Sequence, residues 1–251
     1  IISHPDIRRM LLEQKSFIEG SRAFAIWSSL LIDRGNYSND EDARGLVSLL
    51  VPTFKAFLSD KGFESTVTAQ QVLGGQGYIE DSEMSQFVRD ARIAMIYEGT
   101  NGIQAIDLVG RKLGASSGKY IMNFINEVKT FVEHNAKNEP FEIDFATPLK
   151  SAVHDLEKSL DYFLKHGITD PNNALAGASD FLHLFGHVIL GYLWSRIGKK
   201  SLAHLSLKHN VDFYEAKLIT GKFYMKRTLP ETKLRLARIL SGKTSVMDLN
   251  D

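Results

Sequence analysis

The sequence predicts an all-α protein, an antiparallel helical bundle followed by a second helical bundle. Apolar residues recur at steps of three and four over most of the 251 residues, which is the spacing of one buried helix face. No segment alternates apolar and polar residues over enough positions, with enough β-branched side chains, to indicate a sheet. A chain of this length can bury a full core, in one large domain or in two small ones.

The first bundle opens with a long amphipathic helix. It starts at Pro5, where the missing N–H of proline does no harm, and its periodicity ends at Gly35, a residue type that favours helix termination. Residues 38–41 (SNDE) resemble a capping box at the start of a second helix, which the pattern carries to Gly62. A third helix is predicted over about residues 64–73.

Two shorter helices complete the first bundle, over about residues 82–96 and 100–114. Residues 115–118 (ASSG) form a linker-like break after them. We therefore place a domain boundary here, with a first helical domain over residues 1–114 and an additional helical domain over residues 115–251.

The second bundle contains five further helical patterns. They cover about residues 119–137, 147–166, 172–197, 199–222 and 230–241. An irregular stretch is predicted between the first two, over residues 138–148. The end of the chain, residues 246–251, is expected to fray.

Charge is balanced over the whole chain but not along it. Thirty Lys and Arg residues offset thirty Asp and Glu residues, so no global field indicates a polyanionic partner. Residues 120–195 contain five basic and ten acidic side chains, whereas residues 196–243 contain twelve basic and three acidic ones. A solvated helical face is the favoured explanation of the basic stretch, and a nucleic-acid or phosphate patch is the alternative.

Composition excludes several classes of site. The chain has no cysteine, which excludes disulfides, thiolate metal sites and cysteine nucleophiles and fits a reducing cytoplasm. No apolar run is long enough to cross a bilayer. The chain begins at Ile1 without an initiator methionine or a signal-peptide pattern, and we interpret it as a piece of a longer protein.

Residues 71–104 concentrate the candidate functional groups. Glu98 follows the apolar run 93–97, and a carboxylate at the end of such a run is expected to be partly desolvated. Desolvation disfavours the charged form and makes the group a stronger base than a surface carboxylate. The alternative, favoured on spacing alone, is that Glu98 only ends one helix before the next begins at Thr100.

Three other motifs each have a functional and a structural interpretation. The glycine cluster at residues 74–77 could let the backbone approach a pyrophosphate, but a helix-terminating turn is favoured. His183 and His187 are four apart on a predicted helix and could hold a metal, but their apolar neighbours favour core or interface histidines, and no metal site is predicted. Arg89 and Asp90 are interpreted as an ion pair of structural value.

In combination these motifs resemble one protein family. The segments QVLGGQGY (71–78) and FVRDARIAMIYEGTNGIQ (87–104) closely resemble the C-terminal helical domain of the acyl-CoA dehydrogenases. Members of that family carry a glutamine-x-x-Gly-Gly turn, an Arg-Asp pair and a Tyr-Glu-Gly-Thr segment in this order. The resemblance covers residues 1–114. The remainder, with the segment EGTNGIQAIDLVGRKL (98–113), resembles the larger bacterial subfamily with an extra C-terminal helical domain, to which methylthiopropanoyl-CoA dehydrogenases belong.

The resemblance implies a reaction and a set of site residues. In the family, the glutamate of the Tyr-Glu-Gly-Thr segment removes the α-proton of an acyl thioester while the β-hydride goes to flavin N5, so the resemblance assigns the catalytic role to Glu98. It places Gln71, Gly74 and Gly75 near the pyrophosphate of an FAD held mainly by a neighbouring subunit, and Thr100 close to the cofactor.

The resemblance also implies partners. These are an acyl-CoA substrate, an electron-transfer flavoprotein or similar acceptor, and further copies of the chain in a homodimer or homotetramer, with no membrane and with nucleic acid disfavoured. The family's N-terminal helical domain and middle β-domain, which supply most flavin and acyl-CoA contacts, are not in this sequence, so the piece alone is expected to be inactive. One departure is Gly102, which stands where many members have glutamine, so no flavin contact is assigned to it.

Two other function classes stay open at this point. One is a purely structural oligomerisation module. The other is a flavoprotein relative that binds nucleic acid, for which the basic stretch 196–243 is the supporting feature and the near-zero total charge the opposing one.

Overall fold

The computed structural model describes residues 1–136 and 139–249, and all regular structure in them is helical, which confirms the predicted all-α class. Thirteen α-helices follow one another along these residues. They are α1 Pro5–Tyr37, α2 Glu41–Val72, α3 Gly75–Tyr78, α4 Met84–Ile93, α5 Asn101–Asp107, α6 Lys119–Asn135, α7 Glu139–Phe141, α8 Thr147–Tyr162, α9 Pro171–Ala176, α10 Ala178–Ser206, α11 Val211–Phe223, α12 Glu231–Leu240 and α13 Thr244–Met247. Within the described ranges, none of these helices is both long and apolar enough to cross a membrane.

Segments of other helical types extend or link these helices. π-helical segments continue α5, α7, α8 and α11, at Leu108–Lys112, Glu142–Ala146, Phe163–Gly167 and Tyr224–Thr228. Turns of 3-10 type lie at Glu80–Ser82 and Ala115–Gly118. In the latter, Ser116 and Ser117 have left-handed backbones with φ of 50° and 57°, so the chain bends sharply at the break that the sequence predicts.

The first two helices pack against each other as a long hairpin. Pro5 occupies the first turn of α1, as predicted. The N-cap of α2 is Asp40, whose carboxylate accepts a hydrogen bond from Ala43 N at 2.9 Å. The helix starts within residues 38–41 as predicted, but the capping box expected there is wrong, because Asp40 rather than Ser38 is the N-cap.

Two glycines that the sequence treats as helix ends lie inside helices. Gly35 is buried in α1 against Arg44, and the helix continues to Tyr37. Gly62 lies inside α2, so the predicted second and third helices are one helix of 32 residues. A glycine within a helix costs only about 1 kcal/mol relative to alanine, which packing along the rest of a long helix overrides.

The second half departs from the prediction at three places, one of them Gly177, where the predicted helix 172–197 is divided into α9 and α10. Residues 139–146 are helical, in α7 and the following π segment, so the irregular stretch predicted there is wrong; Asn138 lies outside the described residues. Pro148 is tolerated because it stands in the first turn of α8. The break predicted at Gly198 is also wrong, because α10 runs through it and the chain turns instead at residues 207–210.

Near the C-terminus the structure agrees more closely with the prediction. α12 covers most of the predicted helix 230–241. Part of the end predicted to fray belongs to α13, and Asn250 and Asp251 lie outside the described residues.

The centre of the molecule is α10, which packs against α1, α2, α5, α8, α11 and α12. Trp194 is fully buried in this helix, and its indole N–H donates to Ser16 O at 3.0 Å. Gly20 on α1 and Gly221 on α11 leave room for the ring, since a Cβ added at either would lie 2.9 Å from it. The helices on both sides of the predicted domain boundary therefore share one apolar core.

Candidate functional site

Glu98 lies in a tight turn between α4 and α5. Glu98 and Gly99 both have left-handed backbones, with φ of 53° and 85°. For a residue other than glycine this conformation costs roughly 1–2 kcal/mol, and such residues cluster at functional sites. We call residues 97–100 the glutamate turn.

A lysine and an asparagine hold the glutamate turn against α2. Lys55 Nζ donates to Gly99 O at 2.7 Å and to Asn101 Oδ1 at 2.8 Å. The Asn101 amide in turn donates to Asp60 Oδ1 at 2.6 Å and to Ser59 Oγ at 2.9 Å. These bonds fix the backbone on the C-terminal side of Glu98 and stabilise its unfavourable φ.

Glu98 itself faces solvent. It is exposed, and so are Ile93, Ile96 and Tyr97 in the apolar run before it. The expected desolvation of Glu98 is therefore wrong for this chain by itself, because the apolar side chains do not pack over the carboxylate. The alternative interpretation, in which Glu98 stands at a helix boundary, agrees with the structure, since Thr100 is the N-cap of α5.

The glycine cluster forms the turn that follows α2, as the structural interpretation predicts. Gly74 has a φ of 60° and caps α3. Gly77 is buried, and an added Cβ there would lie 2.3 Å from Gln70 O. At Gly75 an added Cβ would meet nothing within 4 Å, so no contact within the described chain requires a glycine. Gln71, in the last turn of α2, is exposed.

The two turns contact α2 at different points. Lys55 of α2 binds the glutamate turn. Gln71 lies sixteen residues, or about 24 Å, further along α2 and precedes the glycine cluster 74–77, which we call the glycine turn. α4 packs against α2 and lies between the two turns in the chain. The structure therefore does not gather Gln71, Gly74 and Gly75 in one pocket with Glu98, and instead sets the two groups at the two ends of α4.

The predicted ion pair between Arg89 and Asp90 is wrong. Neighbouring residues on a helix point in different directions, so their side chains do not meet. Asp90 accepts a hydrogen bond from Gln86 Nε2 at 2.6 Å, one turn earlier in α4.

His183 and His187 are buried on α10, as the structural interpretation predicts. His183 Nε2 lies 2.8 Å from Asp60 Oδ2. His187 Nδ1 lies 3.1 Å from the Tyr224 hydroxyl, and its Nε2 lies 3.2 Å from Glu231 Oε2. Burial lowers the pKa of His187 below its ordinary value, although the charge of Glu231 acts in the opposite direction. Among residues 1–136 and 139–249, no three His, Cys, Asp or Glu side chains are grouped as a metal site would require.

The basic stretch 196–243 is partly neutralised within the molecule. Several of its side chains form ion pairs with the acidic stretch 120–195. The pairs are Lys222 and Lys226 with Asp144, Arg235 with Asp180, and Lys243 with Asp170. Basic and acidic side chains that are far apart in the sequence thus pair across the second bundle. This pairing favours a structural role for the basic stretch over a nucleic-acid or phosphate patch.

Sequence reasoning missed Lys55, Asp60 and Asn101, the residues that hold the glutamate turn. A signal for them exists, because Lys55, Ser59 and Asp60 interrupt an otherwise apolar part of α2. That signal does not identify their partners, since Asn101 and His183 lie far from them in the sequence.

Two family models match the chain. The model described as "Acyl-CoA dehydrogenase, C-terminal domain" matches residues 1–113. The model described as "Acetyl-CoA dehydrogenase C-terminal like" matches residues 124–250.

Curated relatives match over nearly the whole chain. The chain is 33% identical to the 3-methylmercaptopropionyl-CoA dehydrogenase of Ruegeria pomeroyi, over 98% of this chain and 42% of that protein. It is 30% identical to the broad-specificity linear acyl-CoA dehydrogenase FadE5 of Mycobacterium tuberculosis, over 100% of this chain and 43% of that protein. The chain thus spans about two fifths of the length of these relatives.

A solved structure shares the fold. The crystal structure of Caenorhabditis elegans ACDH-11 in complex with C11-CoA superposes with a TM-score of 0.70 over 98% of this chain and 41% of that one, at 15% identity. At this identity the likeness concerns the arrangement of the helices.

Proposed function

The chain belongs to the acyl-CoA dehydrogenase family, and from that premise we propose that it is the C-terminal helical part of a flavin-dependent acyl-CoA dehydrogenase with Glu98 as the base. The observation that carries the proposal is the left-handed turn at Glu98, held from behind by Lys55 and Asn101. A turn that is strained and yet fixed by a lysine and an asparagine is expected where the direction of one side chain matters.

The proposed chemistry explains why the carboxylate must be fixed. An α-proton beside a thioester is weakly acidic, so its removal near neutral pH needs a base that is aimed at the carbon and kept away from water. Lys55 and Asn101 supply the aim. Ile96 and Tyr97, beside Glu98, are about half exposed and offer an apolar rim that a substrate or another part of the full protein would close.

The glycine turn fits a bound FAD. Gly75 has open space where a side chain would stand, so the backbone at this point can be approached closely by an external group. Gln71 is exposed on the last turn of α2 and offers an amide to the same region. Thr100 uses its hydroxyl oxygen to cap Ile103 N at 3.4 Å and keeps its O–H as a donor. A bound flavin would supply the acceptor for the β-hydride.

The proposal includes partners. Acyl-CoA is the substrate class in the names of the relatives. A reduced flavin must pass its electrons on, so an electron-transfer flavoprotein or similar acceptor is required. Exposed apolar side chains on α4 and α5, among them Phe87 and Ile103, support a homodimer or homotetramer. Since the chain spans about two fifths of its relatives, the isolated chain is proposed to be inactive.

We also propose that the boundary between the two helical domains lies at residues 115–118. The left-handed backbones of Ser116 and Ser117 support it, as do family matches that end at residue 113 and resume at residue 124.

The test is Glu98→Gln in the full-length protein. Glutamine keeps the size and hydrogen bonding of the side chain but not the basic lone pair, so flavin reduction by an acyl-CoA should slow by at least ~10²-fold. Flavin content and acyl-CoA binding should persist, because neither depends on proton removal. Stopped-flow bleaching of the flavin measures the rate, and a binding titration measures affinity.

Glu83→Gln is the matched control. Glu83 is also an exposed glutamate with a left-handed backbone, but it lies at the start of α4, whereas Glu98 follows the end of that helix. The same chemical change at Glu83 should therefore leave flavin reduction unaltered. Reduction of the Glu98→Gln protein at close to the wild-type rate would remove Glu98 from the mechanism.

A further inference from the structure

The glutamate turn has one well-connected anchor, the side chain of Asn101. Its Oδ1 accepts from Lys55 Nζ, and its Nδ2 donates to Asp60 Oδ1 at 2.6 Å and to Ala56 O at 3.2 Å. Its backbone N–H donates to Met95 O at 3.1 Å and so closes the loop that contains Glu98. A change in the position of the Asn101 side chain therefore moves the backbone next to Glu98.

Asp60 ties this anchor to the second half of the chain. One carboxylate oxygen accepts from Asn101, and the other lies 2.8 Å from His183 Nε2 on α10. Burial acts to raise the pKa of Asp60, but the hydrogen bonds of His183 and Asn101 and the charge of Lys55 hold it below its ordinary value. Asp60 is thus an ionised acceptor whose two oxygens serve the two sides of the contact.

His183 is placed to fix the direction of that carboxylate. Its ring is almost fully buried and packs edge-on against Phe57, with ring centres 5.5 Å apart. Since Asp60 is the acceptor, Nε2 of His183 is the donor in this contact. The other ring nitrogen, Nδ1, has no hydrogen-bond partner in the described part of the chain. Among those residues, Asp60 is therefore the single hydrogen-bond partner of the His183 ring.

We propose that His183 and Asp60 are positioning residues for Glu98, and that α10 of the additional helical domain thereby orients the base of the first domain. The proposal rests on the proposed role of Glu98. The chain of contacts runs from His183 through Asp60 and Asn101 to the glutamate turn. A second domain that only buried apolar surface would not need a buried histidine aimed at this carboxylate.

The experiment uses the full-length protein with three substitutions at the contact. His183→Leu removes the donor, His183→Gln restores an N–H at about the place of Nε2, and Asn101→Ala breaks the next step. Asp155→Asn is the control, because Asp155 is a buried carboxylate on α8 that accepts from Thr232 at 2.8 Å and has no part in this chain of contacts.

Three quantities are measured for each variant. They are the flavin-reduction rate, the acyl-CoA dissociation constant and hydrogen exchange of the backbone amides of residues 98–104. His183→Leu should slow reduction roughly tenfold with unchanged affinity, since a misplacement of about 1 Å is enough for such a loss. Hydrogen exchange at residues 98–104 should become faster in His183→Leu. His183→Gln should recover most of the reduction rate and most of the protection from exchange. Asp155→Asn should change neither.

The double variant decides whether the effect passes through Asn101. If it does, His183→Leu combined with Asn101→Ala should be about as slow as Asn101→Ala alone, because both break one connection. Independent, multiplying losses would overturn the proposal, as would unchanged exchange at residues 98–104 in a folded His183→Leu protein. Failure of the proposed function is seen separately, as full activity of Glu98→Gln.

Discussion

Helix α10 and the α4–α5 segment differ in what surrounds them. α10 is buried over most of its length by helices of its own chain, including the fully buried Trp194 and Phe185. α4 has no buried residue, and Phe87 and Ile103 remain 58% and 56% exposed. The segment that carries Glu98 is therefore held by polar contacts with α2 and by the side of α5 that contains the buried Ala105, and the rest of it is open.

This difference separates two tasks. Burial of α10 provides the free energy that folds the chain, since apolar area removed from water is the main favourable contribution. The α4–α5 segment contributes little burial and presents apolar side chains to the outside, an arrangement expected of a face that other surfaces cover. Substitutions in the two regions should consequently behave in opposite ways in the isolated chain and in the full-length protein.

The largest effect is expected for Trp194→Ala. Removing this ring leaves a cavity between α1, α10 and α11 and deletes the hydrogen bond to Ser16 O, which should lower the free energy of unfolding by about 3–5 kcal/mol. Denaturant unfolding of the isolated chain followed by circular dichroism measures it. A loss below about 1 kcal/mol would mean that α10 is not the centre of the core.

The sequence indicates α10 better than it indicates the site. Long apolar periodicity predicts the buried helices, because burial is what the pattern encodes. It misplaces ends at Gly35, Gly62 and Gly198, since a single glycine weakens a helix by less than packing stabilises it. Glu98 is found through the resemblance to a family, but the contact from Asn101 through Asp60 joins residues that no local pattern connects.

A smaller effect is expected from pH at His187. Burial lowers the pKa of this histidine, so the folded chain holds it neutral while the unfolded chain binds a proton below about pH 6.5. The unfolded state then binds more protons, so the free energy of unfolding decreases as the pH is lowered, by up to about 1.4 kcal/mol per pH unit from this group.

His187→Gln should remove that contribution. Glutamine does not titrate, so the difference in free energy of unfolding between wild type and variant should shrink as the pH falls from 7 to 5. The other histidines are present in both proteins and cancel in the difference. A difference that stays constant over this range would show that folding does not lower the pKa of His187, and a difference that grows would show that Glu231 keeps this histidine protonated in the folded chain.

The smallest effect in the isolated chain, and the sharpest contrast with Trp194, is expected for Ile103→Ser on α5. Ile103 is more than half exposed, so the substitution should change the free energy of unfolding of the isolated chain by no more than about 0.5 kcal/mol. In the full-length protein the same substitution should lower the melting temperature or weaken self-association if, as proposed, the rest of the protein or a second copy covers the α4–α5 face there. Ile168→Ser is the matched control: Ile168 is 75% exposed in the second half and should be silent in both proteins. If Ile103→Ser were equally silent in the full-length protein, as judged by thermal unfolding and sedimentation, the α4–α5 face would be open there too, and the protection of Glu98 from water would have to come from the substrate alone.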